Sequence, residues 1–185
     1  MTTSTIPRIR PLTDSEACPK QQELLHQVKK SVGAVPNLIS TLAHSPAAAK
    51  AYLAFSQSLA GGLLDGPLRE RLALAVGEKN QCRYCVSAHS MLGSKAGLSK
   101  SEIDAARRGT SSDPKVAEAL RFARQVLETH GHISEDDWQG ITAAGYCEGE
   151  VVELVAHVAL NFFTNTLNHV AGTEIDFPLA PDLAS

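Results

Sequence analysis

The sequence predicts an all-α fold in a single domain. Apolar residues recur at helical spacing through most of the chain, and runs of alternating or β-branched residues long enough for strands are absent. Residues that start and stop helices bracket the periodic stretches. With 185 residues, 43% of them hydrophobic, the chain can bury enough apolar surface to fold as one unit without disulfides or a structural metal. It contains no internal repeat, low-complexity tract or linker.

A first helix is expected from about Ser15 to Lys30, ending near Gly33, after which Val35-Pro36-Asn37 breaks the pattern ahead of a short helix over Leu38–Ala43. Ser45-Pro46 supplies an N-cap followed by proline at the first helical position, opening a helix that stops at Gly61-Gly62. Asp65-Gly66-Pro67 starts the next, with Leu68, Leu72, Ala75 and Val76 as its main apolar face and an end near Lys79-Asn80. Another runs from Cys82 to about Ala96, stopped by Gly97, and Ser99 with Glu102 forms a capping box for its successor. Asp113-Pro114 opens a further helix, Ser134 with Asp137 caps a short one, and Gly149 to Val170 is the longest apolar helical segment. Thr173 to Ser185 reads as an irregular tail.

Lys and Arg number 17 against 20 Asp and Glu, with no basic block, which argues against a nucleic-acid partner. The N-terminus has no apolar run of signal-peptide length, and no stretch approaches the roughly 20 apolar residues of a membrane span, so a soluble, cytoplasmic protein is expected. The four cysteines, Cys18, Cys82, Cys85 and Cys147, include one closely spaced pair, unlike a secreted disulfide framework.

That pair carries the chemistry. Cys82 at the start of a helix and Cys85 in its first turn lie where unpaired backbone N–H groups and the helix dipole favour thiolate over thiol. His89 follows Cys85 by one helical turn, within reach of proton exchange with that sulfur. Glu70, on the preceding helix, falls beside Ala73, Leu74 and Gly77, small apolar surroundings that suit a general base or proton relay. Bland alternatives stand beside each reading: a zinc site through Cys82, Cys85 and His89, a pair of buried structural cysteines, or a glutamate exposed and paired with Arg69 or Arg71.

Glu70, eleven intervening residues, then Cys82-x-x-Cys85-x-x-x-His89 resembles the alkyl hydroperoxidase D branch of the carboxymuconolactone decarboxylase-like family, and NQCRYCVSAH is similar to its peroxidase-related members. The likeness is strongest from about Val35 to Gly109, and HVALNFFTNTLNH in the last helix also resembles related proteins. It implies a compact, oligomeric helical enzyme that reduces hydroperoxides through its two cysteines without haem, flavin or metal, regenerated by an external thiol or protein reductant. In that family the second cysteine, here Cys85, attacks the peroxide, and the first, here Cys82, resolves the sulfenic acid into a disulfide. Thiol chemistry alone favours Cys82 for the attack, as the more exposed, lower-pKa member of the pair. One departure is Tyr84, where the best-known alkyl hydroperoxidase D proteins have histidine; a phenol is a poor proton carrier near neutral pH. A general disulfide oxidoreductase and a non-catalytic thiol sensor are the alternatives; decarboxylation has no use for the two cysteines.

In the last long helix Glu153, His157, Asn161, Asn165 and Asn168 form a polar stripe, read as a buried hydrogen-bond network or a subunit contact. Its apolar residues, Val151, Val152, Leu154, Val155, Val158, Leu160, Phe162, Phe163 and Leu167, spread around more of the helix than one packing face requires, which predicts a homo-oligomer. His26, His44, His130, His132 and His169 have no partner spacing that marks them out, and Trp138 is read as packing.

Overall fold

The computed structural model describes residues 7–183. Among them secondary structure is helical throughout: α1 (Pro19–Val32), α2 (Asn37–Leu42), α3 (Pro46–Ala60), α4 (Gly66–Lys79), α5 (Arg83–Lys95), α6 (Lys100–Arg107), α7 (Pro114–Glu128), α8 (Glu135–Ala143) and α9 (Glu148–Ala171). No helix among the described residues is long and apolar enough to cross a membrane.

The caps explain most boundaries. Ser45, Asp65, Ser99 and Asp113 each accept a backbone N–H from the first turn of the helix they precede. Ser134 does the same for α8 within a complete capping box. The first helix begins later than its apolar pattern suggests, at Pro19 rather than Ser15, because Asp14, Ser15 and Glu16 form a turn and Pro19 takes the first helical position.

Helix α4 is the hub, packing against α5, α6, α7 and α9. Leu72, Leu74, Ala75 and Val76 are fully enclosed, so its middle is apolar all round, as a buried helix requires. One core surrounds it with Phe122 and Leu120 of α7, Ile141 of α8, and Val151, Leu154 and Val158 of α9. A second core gathers Leu24, Leu25 and Val28 of α1, Leu38, Ile39 and Leu42 of α2, and Ala49 of α3 around Cys82, Tyr84 and Cys85. The cysteine pair thus sits where the N-terminal helices meet the α4–α9 body.

The tail after α9 is irregular, as expected, up to Leu183; Ala184 and Ser185 lie outside the described residues. It grips α5. Phe177 packs edge-on to Tyr84 with ring centres 5.5 Å apart, the Ala180 N–H donates to Ser87 Oγ at 3.2 Å, and Asp182 pairs with Arg83 at 3.1 Å. The buried Arg107 donates to the Pro181 carbonyl at 2.8 Å. Trp138, read as packing, is more than a third exposed.

Candidate active site

The α4–α5 corner positions both sulfurs. Gln81 is a non-glycine residue in the left-handed region, with φ 56°, and the Cys82 N–H reaches back to the Gly77 carbonyl at 2.9 Å. This closes α4 with a Schellman-type turn, at the cost of about 1–2 kcal/mol for a side chain in that conformation. Cys82 thereby ends one helix and caps the next, its sulfur accepting the Cys85 N–H at 3.4 Å.

Both sulfurs are free thiols, and both residues are only 2% exposed, so the expected greater exposure of Cys82 is not found. The chain packs α1, α2 and the tail over the corner, which closes Cys82 off from solvent as completely as Cys85. The expected difference in acidity is found. Cys82 is held below the usual thiol range because the Cys85 S–H donates to it, with burial opposing and the Cys85 N–H, the nearby His169 and Asn168 helping. Cys85 is pushed up, first by donating to Cys82 and then by burial. Within the pair Cys82 is the more acidic thiol.

Access favours the other sulfur. A cavity of about 210 Å³ lies between α3, α4, α5 and α9, and Cys85, Glu70 and His89 line it together with Tyr52, Tyr84 and His157, whereas Cys82 does not. His89 Nδ1 and Glu70 Oε2 are 2.8 Å apart, with about a quarter of each side chain exposed (24% and 22%). Glu70 is therefore neither salt-bridged to Arg71, which pairs with Glu102, nor to Arg69, whose guanidinium donates to the Ala60 and Leu64 carbonyls. With Nδ1 tied to the carboxylate, the other ring nitrogen is left for cavity chemistry.

Tyr84 is engaged in tying α2 to α5. Its hydroxyl accepts the Leu38 N–H at 3.1 Å, and burial raises its pKa well above the usual phenol range. Burial, with the carboxylate of Glu70 adding to it, likewise pushes Tyr52 up to about 12. Among the described residues no group of three or more His, Cys, Asp or Glu side chains is arranged to hold a metal ion.

The polar stripe of α9 divides by role. Glu153 accepts the Leu63 N–H at 2.8 Å and the Leu64 N–H at 3.1 Å, pinning the loop before α4. Asn161 donates to the His157 carbonyl at 2.8 Å. Asn165 accepts from Asn80 Nδ2 at 2.9 Å, and Asn168 Nδ2 reaches Cys85 Sγ at 3.2 Å. His157 is buried in the cavity wall with no partner at Nε2. His169, unremarkable by spacing, donates its Nε2–H to the Asn80 carbonyl, 2.8 Å away, and helps to hold the Cys82 thiol low. The i, i+4 recurrence of the stripe marked these residues; their target, some 80 positions earlier in the chain, had no local signal.

Cys18 and Cys147 lie apart from the site, exposed, at the N-caps of α1 and α9.

Residues 46–129 match the model of the Carboxymuconolactone decarboxylase family. No curated protein matches the chain. Solved structures do. A peroxidase-related protein from Ralstonia eutropha JMP134 with an alkylhydroperoxidase AhpD core superposes with TM-score 0.82 at 23% identity, covering 94% of each chain. A peroxidase-related protein from Silicibacter sp. TM1040 gives 0.79 at 20%, again over 94% of each chain. The debrominase Bmp8 gives 0.76 at 22% over 91% of each chain. These likenesses establish the fold, and the matched segment holds Glu70, Cys82, Cys85 and His89. Residues 46–129 thus resemble the Carboxymuconolactone decarboxylase family, and the chain has the alkylhydroperoxidase AhpD-like helical fold.

Proposed function

We propose that the chain is a thiol-dependent peroxidase whose Cys82 and Cys85 cycle between dithiol and disulfide. The observation that carries this reading is the cavity wall: Cys85 faces the space beside the hydrogen-bonded Glu70–His89 pair, and Cys82 stands directly behind it. Glu70 orients His89, and His89 takes the Cys85 proton. The Cys85 thiolate attacks the terminal oxygen of the hydroperoxide; the O–O bond breaks, and the departing alkoxide takes a proton to leave as an alcohol. Cys85 is then a sulfenic acid. The Cys82 thiolate attacks that sulfur, hydroxide leaves and is protonated to water, and a disulfide remains. An external dithiol or protein reductant returns both electrons. The cycle fits the cytoplasm, where such reductants are at hand, and a homo-oligomer assembled through α9.

A second reading draws support from the debrominase, a cysteine-to-alanine variant of which is also structurally similar, in complex with 2,3,4-tribromopyrrole (TM-score 0.77, 21% identity). In that reading the same dithiol supplies two electrons to a halogenated aromatic held against Tyr52 and Tyr84, releasing halide and closing the same disulfide.

The test mixes reduced protein with hydrogen peroxide, cumene hydroperoxide or 2,3,4-tribromopyrrole in a stopped-flow instrument, counts thiols before and after, and maps the disulfide. The peroxidase reading expects peroxide loss with a Cys82–Cys85 link, while Cys18 and Cys147 stay free. Cys85→Ser abolishes consumption, and Cys82→Ser leaves a trappable sulfenic acid on Cys85. Bromide release without peroxide consumption selects the second reading. Oxidation that never turns over with any reductant selects a thiol sensor, and reduction of protein disulfides without peroxide chemistry a disulfide oxidoreductase. Free Cys82 and Cys85 alongside another crosslink refutes the dithiol mechanism.

A further inference from the structure

The acidity and the access of the two sulfurs point in opposite directions. Cys82 is the more acidic thiol, yet Cys85 faces the cavity. Any reaction at Cys85 requires its proton to leave and its sulfur to hold the charge inside a buried corner, where an isolated anion is costly.

Helix α9 places two buried carboxamides at that point. Asn168 Nδ2 lies 3.2 Å from Cys85 Sγ and 3.9 Å from Cys82 Sγ. Asn165, fully enclosed and three residues earlier on the same face, is held through its oxygen by Asn80 Nδ2 at 2.9 Å. That bond leaves the Asn165 N–H₂ group without a geometric hydrogen-bond partner, although it still acts on Cys85 to favour the anion. Asn80 is the C-cap residue of α4, and the His169 ring donates to its carbonyl, so the end of α9 that carries both asparagines is pinned to the corner that carries the sulfurs.

A neutral thiol gains little from such neighbours, because sulfur is a weak acceptor and an apolar side chain packs beside it without burying unpaired amide atoms. A thiolate gains much more, since a hydrogen bond to an ionised acceptor is roughly twice as strong as one between neutral groups. We propose that Asn168, supported by Asn165 and Asn80, forms a carboxamide cradle that holds Cys85, the sulfur facing the cavity, as a thiolate. The inference rests on Cys85 being the reacting thiol. The step it assists is balanced: the Cys85 S–H gives its proton to His89, leaving Cys85 as the anion that the carboxamides hold. No other reactant is needed.

The experiment measures Cys85 alone. Cys82→Ser, Cys18→Ser and Cys147→Ser together leave one thiol; all three cysteines cap helices, and serine is a favoured cap. Iodoacetamide alkylation of this folded protein is followed against pH, without peroxide. Adding Asn168→Leu is expected to raise the pH midpoint and to slow alkylation at neutral pH about ten-fold, one pH unit corresponding to that factor. Asn168→Asp, which keeps the side-chain shape but sets a like charge beside the sulfur, is expected to raise the midpoint at least as far, and it carries the test alone if the leucine variant does not fold. A merely structural asparagine would lower the melting temperature and leave the midpoint in place. A folded variant that titrates with the parent overturns the cradle. Failure to consume hydroperoxide in the earlier assay would refute the peroxidase reading without touching this titration.

Discussion

Replacing Glu70 by glutamine tests the proton relay at its most separable point, because the side chain keeps its shape and one hydrogen bond while losing its charge. In the native site Glu70 Oε2 stands 2.8 Å from His89 Nδ1. At an effective dielectric near 20, a full charge pair at that distance has roughly 6 kcal/mol of Coulomb energy. Desolvation offsets most of this, and with 22% and 24% of the two side chains still exposed, solvent screens the remainder. A net interaction of about 1–2 kcal/mol is left, in the range of a charge-assisted hydrogen bond. If that energy acts in the transition state, when His89 takes on the proton, Glu70→Gln slows thiol oxidation about 5- to 30-fold. His89→Ala removes the acceptor itself and costs about 100-fold or more. Folding stability should change by less than about 1 kcal/mol, since neither side chain belongs to the apolar cores. Single-turnover stopped-flow kinetics with cumene hydroperoxide, paired with circular dichroism and urea midpoints, separates the two effects. A Glu70→Gln protein that reacts at the native rate would refute the relay, and one that loses activity only in proportion to unfolding would return Glu70 to a structural role.

Two further expectations follow from the last helix. Burial, with Arg69 adding to it, holds the His157 imidazole below its ordinary value of 6.5. The unfolded chain therefore binds a proton that the folded chain refuses, so stability declines as pH falls below about 6.5 and is restored above it. His157→Gln should flatten that decline in urea midpoints measured between about pH 7 and 5; parallel curves for the two proteins would contradict it. On the outer side of α9, Val152, Val155, Phe162 and Phe163 are 68%, 43%, 49% and 42% exposed, and beside them an apolar groove of about 390 Å³ runs between Phe55, Leu160 and Phe163. Light scattering should find more than one chain per particle at micromolar concentration, and Phe162→Asp should dissociate it; a stable monomeric parent would refute the assembly.

The helices, and the grouping of Glu70, Cys82, Cys85 and His89, are legible in the sequence. Capping and periodicity are local, so Ser45, Asp65, Ser99, Asp113 and Ser134 mark their helices without tertiary help. Glu70, Cys82, Cys85 and His89 were legible for a related reason. They lie on consecutive helices joined by one tight corner, so their spacing along the chain nearly sets their spacing in space. Tertiary packing decided what periodicity cannot carry. Proline at the first turn of α1 overrode an apolar pattern that began earlier, and the tail, featureless in sequence, became a clamp on α5 through Phe177, Ala180 and Asp182. Above all, the environment of the sulfurs came from far along the chain: Asn168 and His169 reach the cysteine corner across more than 80 residues, because α9 packs against α4 and α5. That packing buries both sulfurs, opens only Cys85 to the cavity and brings an amide donor against it, none of which a motif of four residues can specify.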